Sequence, residues 1–335
     1  MKKNKFKLII LILSILLAIS ISIYLSWGSY KVGLVDIIKT LIGQGTKFQN
    51  ATILQIRLPR MLVGIAVGIG LSTAGALLQT ITKNELADSG IIGINAGAAV
   101  AAVIFISLKT ANYHSELGSL SVYVLPLMAI LGASISALMI YLLSSKEKVR
   151  PKRLLLIGLG INAGLNAFII FFTFRGGVGD YNRVLIWTSG SLWGSGWEYV
   201  KIIIPLVIII FSLIILNYKK LDVLNLSDEH AISLGLNLNN ERKKFLAYSV
   251  LLAGGATAFA GNIGFIGLIS PNIAKKLVGS YHKNFLIISA MISVVIILLA
   301  DSVSRNLFSP IEIPVGIVIS IFGVPYFIYL MMKEK

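Results

Sequence analysis

GNIGFIGLISPNIAKKLVG, residues 261–279, is the stretch on which the folding of this chain turns. Its apolar part, 263–276, is too short to cross a hydrocarbon layer of about 30 Å, which takes about 20 helical residues. Gly261, Gly264, Gly267 and Pro271 bracket and interrupt it. Around it lie nine longer apolar runs, near 8–27, 59–80, 91–108, 121–144, 154–174, 199–217, 245–261, 284–304 and 312–332. If the short segment is a crossing, the chain has ten spans and both termini share one side.

Charge decides between nine and ten. Cations collect on the cytoplasmic side of bacterial membrane proteins. With ten spans and the N-terminus inside, 20 of the 30 Lys and Arg fall inside, from Lys2, Lys3, Lys5 and Lys7 through Lys83 and the 146–153 cluster to Lys333 and Lys335. Nine spans would move Lys275, Lys276, Lys283 and the C-terminal lysines outside. The bias favours ten, with 263–276 a broken helix shielded by neighbouring protein, because irregular backbone is not tolerated against lipid. The first run, preceded by four lysines and about 19 residues long, reads as an uncleaved span and not a secretory signal.

Composition agrees. Of 335 residues, 56% are apolar and 13% charged, where soluble domains carry about 25% charged residues. The net charge of +16 lies in short clusters between apolar runs, without a basic patch interleaved with aromatics, so no nucleic-acid partner is expected. There is no Cys, hence no disulfide or thiolate metal site. The whole chain, 1–335, reads as one all-α transmembrane domain. Residues 28–56 and 175–198 are expected as outer polar loops, the second holding Trp187, Trp193 and Trp197. Residues 218–243 are expected as the longest cytoplasmic loop.

Searches for catalysis come back empty. No GxxxxGK[ST] occurs, so ATP phosphates are not cradled here. The histidines, His114, His230 and His282, fall in predicted loops, and no metal site is expected. Asp301 and Glu312 sit at span edges, and Asp301 is four residues before Arg305, a spacing at which a helix brings a pair together. Gly64 and Gly68 form a GxxxG spacing that permits close helix approach. GINAG occurs twice, at 93–97 and 160–164. Its Gly93, Gly97, Gly160 and Gly164 read as helix-packing positions. Asn95 and Asn162 are pathway candidates, since an amide inside a membrane seeks a partner or water.

In the cytoplasmic loop, Ser227 reads as the N-cap of a two-turn helix starting at Asp228–Glu229, carrying Ala231 and Leu234 and stopped by Gly235. It is either an amphipathic connector or a knob for a partner's cleft. Arg57 and Arg60, three apart, and Arg305 fall on the outer side. They read either as anchors at the headgroups or as contacts for a partner.

The chain resembles the FecCD-type permeases, the membrane subunits of ABC importers for iron–siderophores, haem and vitamin B12. RLPRMLVGIAVGIGLSTAGALLQTITKNELADSGIIGINAGAA (57–99), WTSGSLWG (187–194), the 261–279 stretch, ADSVSRNL (300–307) and IEIPVGIVISIFGVPYFIYLM (311–331) follow that family's pattern in order and spacing. It departs from the usual pattern at Glu85, Ser89, Ser227, Asn272 and Lys275. The resemblance implies a ten-helix subunit in the cytoplasmic membrane. It would pair with a second permease around a pathway in which Trp187 is a further candidate, with two ATPase subunits below that bind the ATP. A substrate-binding protein would dock above, against Arg57, Arg60 and Arg305. EHAISLG (229–235) is similar to the coupling motif of ABC importers, giving Glu229, Ala231 and Gly235 a role in ATPase contact. Ferric siderophore is the expected cargo, with haem or cobalamin as the alternative and an ion-coupled carrier a distant one.

Overall fold

The computed structural model describes residues 3–28, 30–111, 121–144, 151–175, 184–309 and 311–333. His114, Lys2, Lys335 and the cations at 146–150 lie outside them. Among the described residues every regular element is helical.

The apolar runs become α1 (Lys3–Ser26), α4 (Leu58–Thr82), α6 (Ile94–Ala111), α7 (Ser121–Ser144), α8 (Pro151–Arg175), α10 (Trp197–Leu216), α13 (Leu238–Ala260), α14 (Ile266–Val278), α15 (His282–Asn306) and α16 (Val315–Lys333). Seven of the described helices are long and apolar enough to cross a membrane by length and composition. Pro126, Pro205, Pro271 and Pro325 lie inside these helices. Neighbouring helices can re-satisfy the backbone groups that such prolines free.

The connections are more ordered than the sequence suggests. Residues 28–56 are not merely a polar loop. They hold α2 (Leu34–Leu41) and α3 (Lys47–Asn50), and run into a π-helical stretch, Ala51–Arg57, continuous with α4. Thr46 caps α3 through a reciprocal pair with Gln49, a capping box. Pro59, which has no N–H, stands at the start of α4, where the winding changes. Residues 184–188 form a short helix, α9. The 218–243 loop folds into α11 (Tyr218–Leu224), α12 (Asp228–Ser233) and the first turns of α13. A four-residue helix, α5 (Ser89–Ile92), precedes α6.

At the centre stands α4, packed by α10, α13, α14 and α15. The window containing it is 83% buried, whereas that of α8 is 17% buried, so α8 runs along the surface of the subunit. Small residues let the central helices touch. A side chain on Gly75 would overlap the Gly267 carbonyl at the α4–α14 crossing. Gly261 ends α13 at φ +68, where a Cβ would overlap the Trp187 carbonyl. One end of the bundle carries Arg60 and the end of α15. The other carries Lys83, the end of α14 and the start of α15.

Candidate functional site

At the Lys83 end, α12 is a short helix fixed at both termini. The Ser227 hydroxyl accepts from the His230 N–H at 3.4 Å. At the other terminus Gly235 adopts φ +80. Its N–H donates to Ile232 O at 2.8 Å, and the Leu236 N–H to Ala231 O at 3.1 Å. These are the two bonds of a Schellman ending. The sequence cue for this helix, Ser227 to Gly235, therefore matches the local structure.

Asp228 clamps α12 to two spans. Its Oδ1 accepts from Lys83 Nζ at 2.5 Å and from Arg242 Nη2 at 2.8 Å. Lys83 caps α4 in the left-handed region, φ 52, and also donates to Leu226 O at 2.7 Å. Burial pushes the Asp228 carboxyl up, but the hydrogen bonds and charges of Lys83 and Arg242 outweigh it and hold the carboxyl below its ordinary value. Ala231 is not on the presented face. It is fully buried against the subunit, while Ile232 and Leu234 are 61% and 65% exposed. The outward apolar pair is thus Ile232 and Leu234, with Glu229 exposed beside them.

Behind α12 lies a polar cavity of about 260 Å³, lined among others by Gln79, Thr80, Asn84, Asn225, Lys275 and His282. His282 is not in a loop. It begins α15, is buried, and lies between Asp222 Oδ1, 2.7 Å from Nδ1, and Thr80 Oγ1, 2.9 Å from Nε2. Three of the departures from the family pattern meet here. Lys275 pairs with Glu85, and Asn272 donates to the Glu85 carbonyl at 3.0 Å.

At the Arg60 end the three arginines come together but turn inward. Arg60 grips Asp301 with both prongs, Nε–Oδ2 3.0 Å and Nη2–Oδ1 2.8 Å, and reaches Glu312 Oε2 at 2.9 Å. Arg305 lies 3.6 Å from Asp301 Oδ2, so the i,i+4 pair forms as the looser partner. The Tyr24 hydroxyl donates to Asp301 at 2.7 Å, and the Arg305 guanidinium lies over the Tyr24 ring at 4.2 Å. Arg57 donates to the carbonyls of Leu25 and Tyr30. Arg57 and Arg60 are 4% and 6% exposed. Direct contact of these two with a partner, expected from the sequence, disagrees with this placement, because their donors are already engaged within the subunit.

The pathway candidates gather between these ends. Asn95 is fully buried and donates to Asn262 Oδ1 at 3.1 Å, while its own Oδ1 has no partner among the described residues. The Trp187 carbonyl accepts from Asn262 N–H at 3.3 Å. Asn162 donates to Ile91 O at 3.3 Å, next to Gly93, which turns the chain at φ +97. Sequence reasoning passed over Asp88. Its carboxyl is buried in the bundle, accepts from the Gly90 N–H at 3.1 Å, and packs on Gly267. Gly64, Gly68, Gly93 and Gly97 pack against other parts of the subunit, whereas Gly160 and Gly164 on α8 meet nothing. The helix packing expected of these last two is not seen within this subunit.

The chain matches the model of the FecCD transport family over residues 12–333. It is 39% identical over 334 residues to the iron(3+)-hydroxamate import system permease protein FhuG of Bacillus subtilis (strain 168), covering 100% of this chain and 99% of that protein. The Fe(3+)-citrate import system permease protein YfmE of the same organism is 37% identical, with 99% and 97% covered. A solved structure described as an inward-facing conformation of a metal-chelate type ABC transporter superposes with a TM-score of 0.84 at 28% identity, covering 98% of this chain and 99% of that one. With its helices in this order and nearly its full length matched, the chain belongs to the FecCD transport family.

Proposed function

We propose that this protein is the membrane permease subunit of a binding-protein-dependent ABC importer for iron chelates, with ferric siderophore as the cargo. It crosses the bacterial cell membrane ten times, α14 being the short crossing, with both termini and the Lys83 end in the cytoplasm. A second permease shares the pathway. Two ATPase subunits bind the ATP. The cargo reading rests on relatives whose names specify hydroxamate and citrate complexes of iron.

The observation that carries the coupling mechanism is α12, a helix capped at both termini, clamped by Asp228, and presenting Ile232 and Leu234 outward. Exposed apolar side chains on a cytoplasmic projection suit a partner's cleft. Closure of the ATPase pair on ATP would move α12. Through Lys83 and Arg242 it would carry α4 and α13, changing which side the pathway opens to. Pathway walls are small or weakly polar, Asn95, Asn162, Trp187 and the open Gly160–Gly164 face of α8, because the external binding protein supplies most of the affinity. That protein docks at the Arg60 end. There the arginines shape the surface by holding α1, α4 and α15 together, and Glu312, with a side chain 35% exposed, is the most accessible member of the Arg60–Asp301–Glu312 cluster.

The test is reconstitution with the partner ATPase and the iron-chelate binding protein in vesicles. ATP-dependent uptake of the iron chelate is expected. ATP hydrolysis that never responds to the loaded binding protein would contradict the reading.

A further inference from the structure

A groove between α7 and α13 has no place in the transport cycle described above. The two helices touch where the Ala133 methyl meets Gly254, whose added Cβ would come within 2.8 Å. A groove between them runs from that crossing toward the Lys83 end. Eight residues separate Ala133 from Tyr141 and eleven separate Gly254 from Lys243, which is about 12–16 Å of helix. The wedge between them holds about 360 Å³, with walls of Ala137, Leu138, Leu246, Ala247 and Val250. At its mouth Lys243 sits over the Tyr141 ring, 5.5 Å from the centroid. Lys243 is exposed, and its ammonium has no carboxylate partner among the described residues.

We infer that this groove binds one anionic phospholipid of the inner leaflet, its acyl chain between α7 and α13 and its headgroup on Lys243. The walls are mostly apolar, with Ser134 the polar member besides the mouth, and belong to two spans of the ten-span reading, so they suit an acyl chain. The mouth combines Tyr141 and the exposed Lys243, which suit the headgroup level, where amphipathic rings and basic side chains gather. Charge complementarity selects the occupant: an ammonium with no carboxylate partner among the described residues, beside an apolar slot, favours an acidic headgroup over a zwitterionic one. A bound lipid would wedge α7 against α13. Because α13 carries Arg242, the lipid would also stiffen the spans that α12 moves.

The experiment uses the purified, delipidated full chain, titrated with phosphatidylglycerol or phosphatidylcholine of identical acyl chains and read by native mass spectrometry. Wild type is expected to bind phosphatidylglycerol more tightly. Lys243→Gln should weaken that binding about fivefold, the effect of one basic residue near the surface, and leave phosphatidylcholine unchanged. Lys243→Arg should keep the preference. Lys244→Gln, beside Tyr248 and outside the groove, should change it less than Lys243→Gln. Ala247→Trp fills the slot and should lower binding of both lipids. Equal affinity of wild type for the two lipids, or an unchanged preference in Lys243→Gln, would overturn the inference. So would an Ala247→Trp variant that changes oligomeric state while binding lipid normally, since a second copy of the chain would then be the occupant.

Discussion

Arg60 on α4 holds Asp301 on α15 with two parallel hydrogen bonds, 3.0 and 2.8 Å, although 241 residues separate them. Both side chains are nearly sealed from solvent, 7% and 0% exposed. Removing one partner of a buried pair leaves an uncompensated charge, which costs about 3–5 kcal/mol. Arg60→Leu and Asp301→Leu should each lower the thermal midpoint and the folded yield of the purified protein. The double Arg60→Leu/Asp301→Leu variant should recover only part of the loss, because the two most buried charges go together while Arg305 and Glu312 each lose a partner. If Arg60→Leu melted like wild type while the binding protein no longer bound, Arg60 would be a direct docking contact after all.

The α4–α14 crossing depends on two glycines. A methyl on Gly75 would overlap the Gly267 carbonyl, which is backbone and cannot rotate away. Gly75→Ala should destabilise by about 1–3 kcal/mol, as overpacked cores do. Thermal unfolding in detergent measures it. Gly160→Ala, which meets open space on α8, serves as the comparison and should melt within about 0.5 kcal/mol of wild type.

Coupling and folding separate at neighbouring residues of α12. Ile232→Asp and Leu234→Asp place charge on the exposed face, so transport and substrate-stimulated ATP hydrolysis should fall at least tenfold with the melting point unchanged. Ala231→Asp instead buries a carboxylate and should destabilise the subunit. Asp228→Asn removes the charge that Lys83 and Arg242 share. The Asp228 carboxyl is held below its ordinary value, so its stabilising contribution is fully present above about pH 4, the unfolded value, and is lost as pH falls through the lower folded value. At pH 7 the clamp is intact. The defect of Asp228→Asn should therefore be the same at pH 6 and pH 8. A defect that differed between these two pH values would show that another group controls the clamp.

Much of this architecture was legible in the sequence. Apolar runs mark the ten principal helices within a few residues at most ends, because hydropathy is a local property. The caps of α12, Ser227 and Gly235, are equally local. What escaped was long-range. Asp301 and Arg305 are visible as an i,i+4 pair, but nothing local indicates that Arg60, on another helix, takes the carboxylate with better geometry. The same holds for His282, which meets Asp222 and Thr80 across 60 and 202 residues, and for Asp88, whose burial follows from the turn before α6. The small helices of residues 28–56 were hidden because their mixed polarity reads as loop. That Ala231 faces inward was not legible, because a six-residue helix is too short for its buried side to be read from periodicity.

Topology can be tested on the cysteine-free chain. Lys276 lies on α14, stacked over Tyr326 and Tyr329 at 5.4 and 5.3 Å. Lys276→Cys should resist an impermeant thiol reagent in intact cells and react after permeabilisation, whereas Lys39→Cys, on α2, should react from outside. Labelling of Lys276→Cys in intact cells would reduce the count to nine spans.

The central claim is that this subunit carries iron chelates inward. Its most direct measurement is accumulation of radiolabelled iron by a deletion strain, supplied with individual purified ferric siderophores, with haem and cobalamin in parallel. The account predicts that uptake from at least one ferric siderophore falls to background and returns with the wild-type chain, but not with Ile232→Asp, while haem and cobalamin uptake is unchanged. Normal accumulation from every siderophore, together with loss of haem or cobalamin uptake, would contradict it.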